Sequence, residues 1–218
     1  MSVGGSGHTV LMSQTTSNAA TDATELEQKQ ILKKYLQETR EALVWKLEGL
    51  TEKQARWPLV PSGNNLLGIV KHCANVEIGY LGPVFGRQWP NPGELVPDEI
   101  FETDPQADWY ATADETVASV VDLYRRGWAF CDETIDTLPL STVGRVPWWR
   151  NGEVTLFRII VHVTDETARH AGHADILREL TDSSVGLSAG NTNIPDWQGD
   201  QMAAYVDKLK TLAEGAGN

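Results

Sequence analysis

Two cysteines in 218 residues are too few for a disulfide framework. Cys73 and Cys131 fall inside helical patterns and read as small buried hydrophobes in a reducing compartment. No run approaches the roughly 20 apolar residues that span a bilayer, so no membrane helix is expected. The N-terminus carries neither a basic stretch nor a sustained apolar one; no secretory signal is expected, and the cytoplasm is the expected compartment. Clustered cations are missing too. The longest basic runs are the pairs Lys33-Lys34 and Arg125-Arg126, in a chain of formal net charge −12. A nucleic-acid partner needs Lys and Arg massed against phosphate, and is disfavoured. There is also no glycine-rich phosphate loop, no G-x-S-x-G nucleophile elbow and no internal repeat.

What is present is an ordinary globular balance, 41% hydrophobic and 22% charged. Tryptophan is abundant, with eight copies against five Tyr and four Phe. Such rings fill cores, and they also line pockets that need both surface and an N–H donor. Residues 1–24 are rich in Gly, Ser, Thr, Asn and Ala and are expected to be a flexible tail. Residues 25–182 are expected to form the folded body. Residues 183–218 are expected to add a loop and a short helix, about Asp200–Ala213, packed on it.

Four long segments carry helical periodicity. The first runs from about Glu25 to Gly49, with Leu32, Leu36, Thr39, Leu43, Leu47 and Leu50 on one face. Thr51-Glu52-Lys53-Gln54 reads as a short capped turn. The second begins near Ser62–Asn64 and ends near Leu81, before Pro83; its stripe is Leu66, Ile69, Val70, Cys73, Val76, Tyr80 and Leu81. Residues 82–110 hold five prolines and many acidic residues and are expected to be a long loop. The third segment spans about Asp114 to Leu138, with Val117, Val121, Tyr124, Trp128, Cys131 and Ile135 on one side. Val143–Trp149 reads as a short extended piece, with a turn at Asn151-Gly152. The fourth runs from an N-cap at Thr155 to about Thr181. The fold class is therefore all-α, a four-helix bundle with long connecting loops and almost no strand.

The fourth segment carries the chemistry. His162, Glu166 and His170 recur every four residues and stack on one face. Carboxylate and imidazole both ligate zinc and related ions, and a pair at i,i+4 can grip one ion. A further ligand must come from another helix. His72 is the candidate, because it is the other His inside an apolar stripe. A lone His on such a face is more often a hydrogen-bonded core residue. Glu166 resists that reading, since an ionised carboxylate facing a core is expensive without a partner. Arg169, His162 and His170 are the partners within its reach along the helix. The candidate metal set is His72, Glu166 and His170, with His162 as either an orienting partner or an alternative ligand, and Arg169 and Trp149 as pocket residues. Three protein ligands leave a position open, the arrangement of catalytic sites. No separate nucleophile is evident. The acidic loop 91–108 and Trp148-Trp149-Arg150 are candidate pocket walls.

The run from Glu166 to Glu179, together with Leu66-Leu67-Gly68-Ile69-Val70-Lys71-His72 upstream, resembles the DinB-like superfamily over roughly residues 26–182. It is most similar to the mycothiol-dependent branch, including mycothiol-dependent maleylpyruvate isomerase and mycothiol S-transferases. Many superfamily members carry a His-x3-His pair on the last helix; here Glu166 stands in the first place, as in that isomerase. The resemblance implies one divalent ion at His72, Glu166 and His170, zinc first, with nickel and manganese as alternatives. It also implies mycothiol or a similar thiol as co-substrate. The expected function is a metal-dependent thiol transferase or isomerase acting on an electrophilic small molecule, as a monomer or homodimer. The alternatives are a metal-dependent hydrolase and a non-enzymatic metal- or ligand-binding stress protein.

Overall fold

The structure, a computed structural model, describes the backbone of residues 7–216 and the side chains of residues 23–216. Its long helices are α1 (Gly7–Trp45), α3 (Leu66–Leu81), α4 (Val117–Thr137) and α5 (Leu156–Asp182). Helix α1 packs on α4 and α5, and α3 packs on the same two, which closes a four-helix ring. This is the all-α four-helix bundle that the periodicity predicts. Among the described residues no helix is long and apolar enough to cross a membrane.

Helices α3, α4 and α5 start where a short polar side chain can take an orphan N–H. The Asn65 side chain accepts from the Gly68 amide at 2.8 Å, and Thr155 accepts from Arg158. Thr116 and Ser119 satisfy each other's backbone in a capping box. The short helix α2 (Glu52–Arg56) has the same device in Thr51 and Gln54. Helix α3 stops at Gly82 before Pro83, and α4 stops ahead of Pro139. Strand β1 (Val143–Arg145) pairs antiparallel with β2 (Glu153–Thr155), and β2 leads directly into α5. The acidic loop contains only 3-10 turns, at Pro83–Phe85, Pro92–Glu94 and Asp98–Glu102.

Two helices differ from expectation. Helix α1 begins at Gly7, upstream of Glu25, so its first part lies in the stretch assigned to a tail from composition; residues 1–6 lie outside the described residues. Apolar periodicity starts only near Leu26, so pattern alone could not see that part of the helix. Helix α4 buries Val120, Leu123, Tyr124, Cys131 and Ile135, while Val117, Val121 and Trp128 are only half-buried. Gly127 lies on the buried face, where an added Cβ would lie 3.0 Å from Ile78 Cδ1. The missing side chain lets α3 come close on that face.

The interior also holds charge. Arg40, fully buried in the α1 stripe, donates to both carboxylate oxygens of Glu77 on α3. It also donates to Asp132 on α4 at 2.8 Å. Burial works against the Arg40 charge, but Glu77 and Asp132 outweigh it and raise its pKa. Burial pushes the Glu77 carboxyl up, opposed by Arg40. Arg178 on α5 closes the lower end by donating to the Lys46 and Glu48 carbonyls at 2.9 Å each.

The compact unit ends at Val185. Gly186–Asn218 form a second unit. Within it, helix α6 (Gln201–Gly215) has no buried residue, and Trp197 lies against Tyr205 with ring centroids 4.9 Å apart.

Candidate metal centre

Helices α3 and α5 run antiparallel along their contact. His72 on α3 faces Glu166 and His170 on α5, and Tyr80, further along α3, faces His162. The periodicities that put each residue on a buried face thus deliver two pairs of polar rings to one seam.

The first pair forms a cluster of three candidate ligands. One ligand atom from each of His72, Glu166 and His170 lies within 4.8 Å of the others. Glu166 Oε1 is 2.9 Å from His170 Nε2 and 3.8 Å from His72 Nε2. Ligands about 2.1 Å from a tetrahedral zinc ion are about 3.4 Å apart, so these spacings bracket what one ion needs. His72 Nε2 adds a second observation, because it is buried and, among the described residues, has no hydrogen-bond partner. A buried polar atom is rarely left so without a reason.

The other His72 nitrogen explains which atom is left. Nδ1 lies 2.6 Å from Asp108 Oδ2, and Asp108 is itself buried. The carboxylate accepts the Nδ1 proton and leaves the Nε2 lone pair facing Glu166. The indole of Trp109 stacks on the same imidazole, centroids 3.9 Å apart and 19° from parallel. His170 Nδ1 lies 3.4 Å from His173 Nδ1, which can accept a hydrogen bond from Nδ1–H when Nε2 serves as ligand.

The loop carrying Asp108 and Trp109 is anchored by α3. Asn65 Nδ2 donates to the Trp109 carbonyl at 3.2 Å, and Lys71 Nζ donates to the Tyr110 carbonyl at 3.0 Å and to Glu115 at 2.9 Å. The Trp109 carbonyl lies so close to Gly68 that a Cβ there would be 1.8 Å from its oxygen.

Electrostatics favour the ligating forms. Burial lowers the His170 pKa, against the raising effect of the Glu166 hydrogen bond, so the imidazole stays neutral. Burial raises the Glu166 carboxyl, but the His170 hydrogen bond and the nearby imidazoles outweigh it, so it stays ionised.

The remaining candidates fall elsewhere. His162 makes edge contacts with Tyr80 and Trp149, centroids 4.9 Å in each case, instead of bonding Glu166. It sits a turn away from Glu166, but Tyr80 stands opposite it. Trp149 is half-buried in the same group. Arg169 is exposed and has no ion pair among the described residues; it points away from the seam. Cys73 is buried in the core and forms no part of the cluster. Beside the centre lies a cleft of about 630 Å³, lined by Val76, Tyr80, Leu95, Phe101, Asp108 and Trp148 among others. Several of these come from the 91–108 and 148–150 segments.

A family model described as mycothiol-S-transferase matches residues 31–183. No curated protein matches the sequence. Among solved structures, a crystal structure of a conserved protein from Enterococcus faecalis is similar, with a TM-score of 0.58 and 19% identity. The alignment covers 71% of this chain and 97% of that one, a likeness of fold alone.

Proposed function

The chain belongs to the mycothiol-S-transferase family, and on that premise we propose that it is a metal-dependent transferase that joins mycothiol, or a similar low-molecular-weight thiol, to an electrophilic small molecule. The observation that carries this reading is the buried, unpartnered His72 Nε2, aimed at Glu166 and His170 and backed by Asp108. His72, Glu166 and His170 would hold one divalent ion, zinc first among the candidates given two imidazoles and a carboxylate. Such an ion supplies positive charge that keeps a thiol deprotonated at neutral pH.

The chain's own residues do the rest. Asp108 holds His72 in one tautomer, and Trp109 keeps its ring flat against the loop. Glu166 holds His170 through its Nε2, and His173 Nδ1 can accept a hydrogen bond from the Nδ1–H of the ligating tautomer. The adjoining cleft offers apolar walls for the electrophile. The reducing cytoplasm is the compartment where such a thiol would be available.

The test is to load the full chain with zinc, nickel or manganese, measure metal content, and assay thiols against a panel of electrophiles. Turnover should require both metal and thiol. Turnover without thiol would replace this reading with a hydrolase. Full occupancy with no turnover across the panel would replace it with a binding protein.

A further inference from the structure

Tyr80 lies two helical turns beyond His72 on α3, and its hydroxyl is unusual in what it accepts. Trp148 Nε1 donates to it at 3.2 Å and Trp149 Nε1 donates at 3.1 Å. An indole N–H can only donate, so both bonds have a fixed direction. A phenol oxygen that accepts two N–H groups has used its lone pairs and is left with one function, its own proton. Among the described residues no acceptor takes that proton. The ring is nearly buried and is held on its edge by His162.

Tyr80 and Trp148 both line the cleft beside the candidate cluster. Its walls include Val76, Leu95 and Phe101, and the loop that supplies Leu95 is tied to α3 by the Val96 amide, which donates to Asn75 at 2.9 Å. Two carboxylates, Asp98 and Asp108, also line the cleft, and no Lys or Arg does. An anionic substrate would meet charge of its own sign there. Asp108 belongs both to this cleft and to the hydrogen bond on His72, so the cleft borders the metal centre.

We propose that Tyr80 is the acid of the transfer reaction, donating its proton to the oxygen of an uncharged, largely apolar electrophile, an epoxide or a carbonyl compound, bound in this cleft. The proposal rests on the thiol-transfer reading above. With an epoxide, the thiolate sulfur forms a bond to one ring carbon and the C–O bond at that carbon breaks. The electron pair goes to oxygen, which takes the Tyr80 proton and becomes an alcohol. The phenolate oxygen keeps its two indole donors and regains from solvent the proton that the thiol released. A residue acting this way contributes about 10²–10⁴-fold to rate.

Two measurements on the full chain test this, with Tyr80→Phe as the variant. The first uses metal-free protein and acetophenone labelled with ¹³C at the carbonyl. Wild type should bind it saturably and move the carbonyl resonance downfield; Tyr80→Phe should lose that shift and bind about fivefold more weakly. Trp149→Phe removes one donor but leaves the Tyr80 proton, and should retain the shift. No saturable binding by wild type, the same shift in Tyr80→Phe, or loss of the shift in Trp149→Phe would overturn the proposal. This arm needs neither metal nor thiol, so it reads the Tyr80 hydrogen bond to a bound oxygen separately from the transferase reading. The second compares, in metal-loaded protein, thiol addition to styrene oxide with displacement of chloride, a leaving group that needs no proton. The epoxide-to-chloride rate ratio should fall at least about thirtyfold in Tyr80→Phe. An unchanged ratio would overturn the acid role and mark Tyr80 as structural.

Discussion

His72 and Asp108 share a 2.6 Å hydrogen bond across 36 residues of sequence, and that bond decides which imidazole nitrogen is left for a ligand. Partners of this kind orient a metal-binding His and raise its basicity, and removing one costs about 10–100-fold in affinity. Asp108→Asn should therefore bind zinc about 10–100-fold more weakly while its helical circular dichroism stays that of wild type. Competition against a chromophoric chelator measures it. Wild-type affinity would mean that the carboxylate is only a neighbour.

Removing a ligand should cost more. His72→Ala and His170→Ala are each expected to lower zinc content at least about tenfold, with the protein still folded, because the core of four apolar stripes does not depend on the ion. Glu166→Gln keeps the size and loses the charge, and should bind more weakly than wild type. Metal analysis after reconstitution reads all three. If Glu166→Gln keeps full affinity, the carboxylate is not a ligand.

Acid should weaken the metal-free protein, and the sign follows from the shifts. Burial lowers His170 from its ordinary 6.5, so below that pH the unfolded chain takes up the proton first. Stability is fully present above about 6.5 and declines as pH falls toward the folded value. Glu166, lowered from 4.5, adds a loss of the same sign further down. Urea midpoints at pH 7.5, 6.5 and 5.5 should fall in wild type, and fall less in His170→Gln. Equal slopes in the two proteins would show that His170 contributes none of the decline.

The Arg40–Glu77 pair offers a test inside the core. Arg40→Met leaves the Glu77 carboxylate buried beside Asp132 without its main partner, at a cost of about 3–5 kcal/mol. Arg40→Met with Glu77→Leu removes both charges and should recover most of that loss. Urea denaturation compares them. A double variant no more stable than the single one would mean that packing, and not the stranded charge, sets the cost.

The helices and the clustering of His72, Glu166 and His170 were legible because both live on short-range periodicity. Leu66, Ile69 and Val70 mark the buried face that holds His72, and Glu166 and His170 are neighbours by helical geometry alone. What stands across from a face is not a local property. Asp108 and Trp109 reach His72 from a loop with no periodicity, so nothing near them in sequence points to it. His162 lies on the seam, yet its partner there is Tyr80 and not Glu166, because the antiparallel α3 decides what lies opposite. Arg40 sits in a leucine stripe one residue past Thr39, and only the acids arriving from α3 and α4 make its burial tolerable.

The contact between Gly68 and the Trp109 carbonyl has a consequence for how this protein can vary. It leaves no space for a methyl group, so the end of the acidic loop is keyed to one point on α3. Asn65 and Lys71 pin the backbone on either side of that point. Upstream, the chain from Pro83 to Ala107 can lengthen, shorten or change its side chains without carrying Asp108 away from His72. The scaffold thereby separates a fixed anchor beside the His72 cluster from a wall whose residues can change without moving it.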